Sequence, residues 1–191
     1  GASLAEKAKK SLNSDCLLIS HDQKDLTAEN SIKISTKSVV NPSTHLIRGS
    51  TLETSDKIKK SIANYSTIIL MSNLAGKAGV GIGPIVSRIC KQEQKNLLSF
   101  VIMPFKFEKE RIFQSGITLK RIRQDSQCTI VVDNDALLDS NPDLTQKQCY
   151  DISNKAIESM MHSLKSSEIS EDINILSTGK ATDDIEASLK D

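Results

Sequence analysis

The chain has 191 residues, 38% hydrophobic and 26% charged, with a formal net charge of +1. That is the profile of one ordinary folded domain, or of one domain and part of another, and it excludes a disordered chain. A near-neutral balance gives bulk electrostatics no hold on nucleic acid or a membrane surface, and 3% aromatic content without tryptophan provides no stacking platforms for single strands, so the core must be aliphatic.

In chain order, the spacing of Leu4, Ala5, Ala8 and Leu12 predicts a helix over residues 3–13, and the apolar run at 16–20 predicts a first strand. A polar, turn-rich region from 22 to 50 holds one weak strand at 31–34 and the turn signal Asn41-Pro42. Leu52, Ile58 and Ile62 give 51–64 helical spacing. Strand 67–72, a glycine-rich turn, helix 81–94, strand 97–103, a mixed helix over 106–124, strand 129–132, a turn, and a long helix from 144 to about 166 follow.

Short apolar strands alternating with helices predict an α/β fold, a Rossmann-like parallel sheet covered by helices on both faces. Ligands in such sheets lie at the carboxyl ends of the strands. The loops of unusual chemistry all leave such ends: Ser20-His21-Asp22, the glycine turn, Pro104-Phe105-Lys106-Phe107-Glu108 and Asp133-Asn134-Asp135. Four loops on one edge predict one site. Cys16, Cys90, Cys128 and Cys149 are scattered without a C-x-x-C pair, and three lie in or beside apolar segments. They read as free core thiols in a reducing, cytoplasmic setting. His21, His45 and His162 are equally dispersed, so no protein-only metal site is expected, and no signal peptide or membrane-spanning run is present in the sequence.

The turn Ala75-Gly76-Lys77-Ala78-Gly79-Val80-Gly81-Ile82-Gly83-Pro84 carries four of the eight glycines. One explanation is a tight strand-to-helix connection. The other is that bare backbone N–H groups at a helix start meet a phosphate. The spacing fits neither G-x-x-x-x-G-K-[ST] nor G-x-G-x-x-G. Tyr150 and Asn154 stand four apart on the long helix and share a face, where a ring and an amide can hold a flat base. Singly, Asn134 and Asp22 read equally as turn formers, Glu108 as a solvated carboxylate, and Tyr150 as core packing with its hydroxyl at the rim.

Taken together these segments resemble the tubulin and FtsZ superfamily. Residues 75–81 are similar to its G-G-G-T-G-T-G signature, with Pro84 following. Pro104 to Glu108 resembles its P-F-x-F-E segment, and Val132 to Asp139 its I-D-N-E-A-L-Y-D segment. Tyr150 to Asn154 resembles its Y-x-D-x-N, and Ile19 to Asp22 its V-N-T-D loop. The resemblance implies a GTPase-type domain over 1–166 and a partial second domain over 167–191, where residues 175–182 are similar to a G-x-G-x-A segment. It implies GTP or GDP as ligand with Mg2+ as a possible companion. It assigns the phosphates to Gly76, Lys77, Ala78, Gly79, Val80 and Gly81, with Gly1, Ala2 and Ser3 as the tail of a first glycine loop. Glu108 and Arg111 would meet the ribose side, Asn134, Tyr150 and Asn154 the base, and Asp22 the metal-water shell.

Departures bear on hydrolysis. Lys77 replaces a glycine, where it would either crowd the phosphates or neutralise them. Both threonines of the signature are apolar here, and Arg111 sits one place early. Arg48-Gly49-Ser50 only loosely matches a loop near the γ-phosphate. No match is read for the acidic loop that the family inserts into the neighbouring subunit, for the opening strand or for the rest of the second domain, so the sequence is expected to be either part of a longer chain or a reduced relative. Two functions follow. The first is a GTP-binding cytoskeletal protein stacking head to tail, as a homo-oligomer or filament, with slow assembly-linked hydrolysis. The second is a degenerate, non-hydrolysing relative serving as a structural or regulatory partner of an FtsZ-like protein. An adenine-dinucleotide enzyme is disfavoured, because no acidic residue follows the glycine turn at the usual distance.

Overall fold

The computed structural model describes residues 2–37 and 40–164. Gly1 and the segment 167–191 expected to open a second domain lie outside the described residues. Helix α1 (Ala2–Leu12) leads to β1 (Leu18–Ser20), a single 3-10 turn (Gln23–Asp25) and β2 (Ser31–Lys33). Helices α2 (Thr44–Glu53) and α3 (Ser55–Ile62) precede β3 (Thr67–Asn73). Then come α4 (Lys77–Gln92), β4 (Asn96–Ile102), α5 (Lys109–Asp125), β5 (Cys128–Val132), α6 (Asn134–Ser140) and α7 (Gln146–Ser163).

Every strand pair is parallel: β1 with β2, β3 with β4, and β4 with β5. The ladder is interrupted, giving a two-stranded sheet β1-β2 beside a three-stranded sheet β3-β4-β5. Side chains of a strand alternate between faces, and the cores follow that period. Ile69, Met71, Leu98, Phe100 and Ile102 join Leu4, Ala8 and Leu12 of α1 and Ile157 and Met161 of α7. Their neighbours Ile68, Leu70 and Leu97 turn the other way and join Ile47, Ile58, Ile62, Ile82, Ile85 and Ile89 of α2, α3 and α4. Ile32 and Ile34 lie in that same cluster. One body of aliphatic packing therefore carries both sheets, with helices on both faces.

Three boundaries depart from the sequence-based expectation. Helix α2 starts within the region read as turn, because Ser43 caps it by accepting from the Leu46 N–H. Arg48-Gly49-Ser50 is consequently helical and not a loop. Helix α4 begins at Lys77, four residues before the expected 81, so Val80 and Gly81 are helical. Asp133 caps α6 through the Asp135 N–H, which turns the expected 133–135 turn into a helix start.

Early helix formation explains most of the glycine cluster. A Cβ on Gly79 would stand 2.0 Å from the Asn73 carbonyl oxygen, one on Gly81 2.7 Å from Ile47 Cγ2, and one on Gly83 2.8 Å from Ser72 Oγ. These glycines let α4 press against the end of β3 and against α2. Gly76 meets only the Asn73 oxygen, at 3.7 Å, and its backbone is extended.

Candidate functional site

The tips of β3, β4 and β5 are laced together. Leu74 N–H donates to the Ile102 oxygen at 2.8 Å, and Met103 N–H to the Val132 oxygen at 3.0 Å. The turn into α4, the 103–108 loop and the start of α6 therefore emerge side by side at the carboxyl edge. Ser115 of α5 reaches back to the Leu74 oxygen at 2.9 Å and holds α5 against the first of these turns.

At the first turn, Asn73 braces the chain by accepting from the Ala75 N–H through Oδ1 and from the Gly76 N–H through its carbonyl. Gly76 is the N-cap of α4 and supplies no capping side chain. The first helical N–H to reach a carbonyl is that of Val80, which donates to Gly76. The opening N–H groups of a helix carry partial positive charge. Here Gly76 and Lys77 are exposed, Ala78 and Gly79 half-buried, and Val80 and Gly81 buried. Lys77 is engaged laterally: its Nζ donates to Asn41 Oδ1 at 2.7 Å and to the Pro42 oxygen at 3.1 Å, across to the segment preceding α2.

The second group is built around Phe105, fully buried, which stacks on Phe107 with centroids 5.1 Å apart and meets the edge of Tyr150 at 5.5 Å. Glu108 ends the loop, accepting from the Phe105 N–H at 3.2 Å and from Arg111 Nη1 at 2.6 Å. Burial raises the Tyr150 hydroxyl above its ordinary pKa, and the nearby Glu108 carboxylate adds to the rise while Arg111 opposes it. Asn134 is wholly buried. Its Oδ1 accepts from Ser153 Oγ at 2.6 Å and its Nδ2 makes a long donation of 3.5 Å to the Met103 oxygen. Asp135 fixes the loop by accepting from the Lys106 N–H at 2.8 Å. Asn154, half-buried one turn after Tyr150, has an amide that takes part in no hydrogen bond to another described residue.

The structure thus brings Glu108, Arg111, Asn134 and Tyr150 to one corner, with Asn154 one turn after Tyr150 on α7 and Gly76 and Lys77 on the adjacent strand tip. Ala2 and Ser3 form the first turn of α1. Asp22 is exposed just after β1 and caps the 3-10 turn by accepting from the Lys24 N–H at 3.0 Å. Among the described residues no group of three or more His, Cys, Asp or Glu is placed to hold a metal ion, and no helix is long and apolar enough to cross a membrane. Sequence reasoning missed Ser153, which fixes the orientation of Asn134, and Phe105, against which Tyr150 is set. The signal for Ser153 lay in its adjacency to Asn154 on an otherwise apolar helix face with Cys149 and Ile157.

Residues 7–142 match the model of the Tubulin/FtsZ family, GTPase domain. The chain is 30% identical over 115 residues to cell division protein FtsZ 1 of Halobacterium salinarum, covering 60% of this chain and 28% of that protein. With FtsZ of Aquifex aeolicus it shares 28% over 101 residues, 52% of this chain and 28% of the relative. The matched part therefore spans little more than a quarter of these relatives. Among solved structures, an FtsZ point mutant of M. jannaschii superposes with a TM-score of 0.78 at 19% identity, covering 91% of this chain and 59% of the other. CetZ from Methanosaeta thermophila does so at 0.65 and 16% identity, covering 83% and 49%. The chain belongs to the Tubulin/FtsZ family and carries its GTPase domain.

Proposed function

We propose that residues 1–166 act as a nucleotide-binding domain that holds GTP or GDP across the carboxyl edge of β3, β4 and β5. The observation that carries this reading is the pairing of an uncapped helix start at Gly76 with the Tyr150–Asn154 face, in a chain whose residues 7–142 match a GTPase domain. The Lys77, Ala78 and Gly79 N–H groups suit the phosphates. Glu108 and Arg111 face the ribose side, releasing part of their mutual ion pair on binding. The Tyr150 ring stacks on the base, and the uncommitted amide of Asn154 reads its edge; buried Asn134 positions that wall through Ser153. Val80 and Gly81 act as packing beneath the phosphate turn.

Magnesium binds through one or two carboxylates plus substrate phosphates and waters, and the exposed, half-committed carboxylate of Asp22 fits an outer-shell role of that kind. When bound, the ion would compensate phosphate charge. Subunits stacked head to tail, with the nucleotide at each junction and hydrolysis slow and linked to assembly, complete the proposal. Isothermal titration of the purified chain with GDP, GTP and ADP in magnesium buffer tests it. Guanine nucleotides bind and ADP does not, and Tyr150→Leu weakens GDP binding about tenfold, the loss of one stacked base contact of ~1–3 kcal/mol. Absence of guanine-nucleotide binding ends the proposal.

A further inference from the structure

Helix α4 carries Pro84 in its interior. Proline has no N–H, so it cannot return the bond that a helical residue gives to the carbonyl four places earlier, and here that carbonyl belongs to Val80. Val80 also closes the first turn of the helix, its own N–H donating to the Gly76 oxygen at 3.2 Å. The residue is buried, and a buried carbonyl without its donor destabilises the conformation that holds it. A donor comes from another helix. Arg48 Nη2 of α2 makes a long donation to the Val80 oxygen at 3.4 Å.

The packing delivers Arg48 to that point. Its neighbour Ile47 is fully buried, and a Cβ on Gly81 would fall 2.7 Å from Ile47 Cγ2 and 3.3 Å from the Thr44 oxygen. The two helices therefore touch at the residue that follows Val80. Among the described residues this is the only hydrogen bond Arg48 makes, and its Nε is buried without a partner. Burial lowers its pKa, and Arg121, not a carboxylate, is the charge that acts on it. Arg48 is thus no ion-pair partner. The preceding carbonyl is held in the same way, since Ser72 Oγ of β3 donates to the Gly79 oxygen at 3.3 Å. Two successive carbonyls of α4 accept from outside the helix, one from the sheet and one from α2.

We propose that Arg48 is a positioning residue for nucleotide binding: by donating to the carbonyl that Pro84 leaves open, it keeps the first turn of α4 formed and its Lys77, Ala78 and Gly79 N–H groups in register for the phosphates. The inference rests on the reading of that turn as the phosphate site. It also gives α2 a different part from the one expected of Arg48-Gly49-Ser50 as a loop near the γ-phosphate. Arg48 acts from behind the turn, through protein atoms, and touches no ligand. Its loss therefore bears on GDP and GTP alike, whereas a guanidinium that met the γ-phosphate would matter for GTP alone.

The test compares the 191-residue chain with Arg48→Met, Pro84→Ala and the double variant, each read by amide hydrogen exchange without nucleotide and by titration with GDP and with GTP. Arg48→Met speeds exchange of the Val80 amide about tenfold, with the β4 amides unchanged, and weakens both nucleotides by about the same factor. Pro84→Ala supplies the missing N–H. In that background Arg48→Met shifts either reading by no more than about twofold, because the carbonyl already has its donor. Should Arg48→Met alone fail to fold, the double variant folds and carries the comparison with Pro84→Ala. Four results would overturn the inference: Val80 exchange unchanged in Arg48→Met; equal losses with and without Pro84→Ala; a loss confined to GTP; or a double variant that does not fold where Pro84→Ala does. A chain that shows the exchange pattern but binds neither nucleotide ends the phosphate reading of the turn, and the positioning role with it. Intact binding with unchanged exchange ends only the part given to Arg48.

Discussion

Side-chain size at single positions shows how α4 is seated. Gly49 and Gly81 both lie in helices, where glycine is about 1 kcal/mol worse than alanine, yet their surroundings are opposite. A Cβ on Gly49 meets nothing within 4 Å, whereas on Gly81 it lands 2.7 Å from Ile47 Cγ2 and 3.3 Å from the Thr44 oxygen. Gly49→Ala is expected to raise stability by about 0.5–1 kcal/mol. Gly81→Ala is expected to lower it by about 1–3 kcal/mol, as overpacking does in a close-packed interior. Urea denaturation of the two variants checks both signs. Loss of stability in both would mean that α2 is not the regular helix described, and gain in both would mean that α2 and α4 are not in contact. The same contrast answers the question the glycine cluster raises. Gly79, Gly81 and Gly83 admit neighbouring protein atoms, and Gly76 is the exposed glycine of the four.

At the scale of elements, α6 and α7 are locked by a single buried hydrogen bond, Ser153 Oγ to Asn134 Oδ1 at 2.6 Å. Ser153→Ala removes the donor and leaves a wholly buried amide oxygen with no replacement, a loss of about 1–3 kcal/mol. Thermal unfolding measures that loss. If Asn134 positions the base-facing wall, guanine-nucleotide affinity falls in the same variant at temperatures where it remains folded. An unchanged melting temperature would show that water reaches Asn134. The elements themselves were largely legible. The continuous apolar runs at 67–72 and 97–103 mark strands covered on both faces, and β3, β4 and α7 lie within a few residues of the expected bounds. What stayed hidden depends on long-range partners. Ser43 acts as a cap only because residues 44–53 find α4 to pack on, and Lys77 turns toward Asn41 and Pro42 because the start of α2 lies beside it. Joint spacing of Glu108, Asn134, Tyr150 and Asn154 placed them on one edge. Spacing alone could not show that the Asn134 amide is already held by Ser153, since that bond joins two helices nineteen residues apart in sequence.

For the molecule as a whole, the cluster carrying both sheets contains Cys90, fully buried among Ile, Leu and Val. Desolvation pushes its thiol from 9.0 up to about 12, with Lys95 opposing the shift only weakly enough to leave it large. The direction sets how the fold responds to alkali. The folded state holds the Cys90 proton more tightly than the unfolded chain does, so the associated stability is fully present below about pH 9 and is lost as pH rises toward about 12. Cys16, Cys128 and Tyr150, each raised chiefly by burial, have the same sign. Stability from urea denaturation is therefore flat between about pH 7 and pH 8 and falls above about pH 9 by on the order of 1 kcal/mol per pH unit. In Cys90→Ala the stability at pH 7 is lower, because a cavity replaces the sulfur, but the alkaline slope is shallower. Thiol titration supplies the independent readout: at pH 8 Cys90 reacts with a disulfide reagent only at the rate of global unfolding, while half-buried Cys16 and Cys128 react sooner. An alkaline slope identical in the variant and the parent would place the titrating groups elsewhere and would mean that the aliphatic body joining the two sheets opens to solvent well below the unfolding transition.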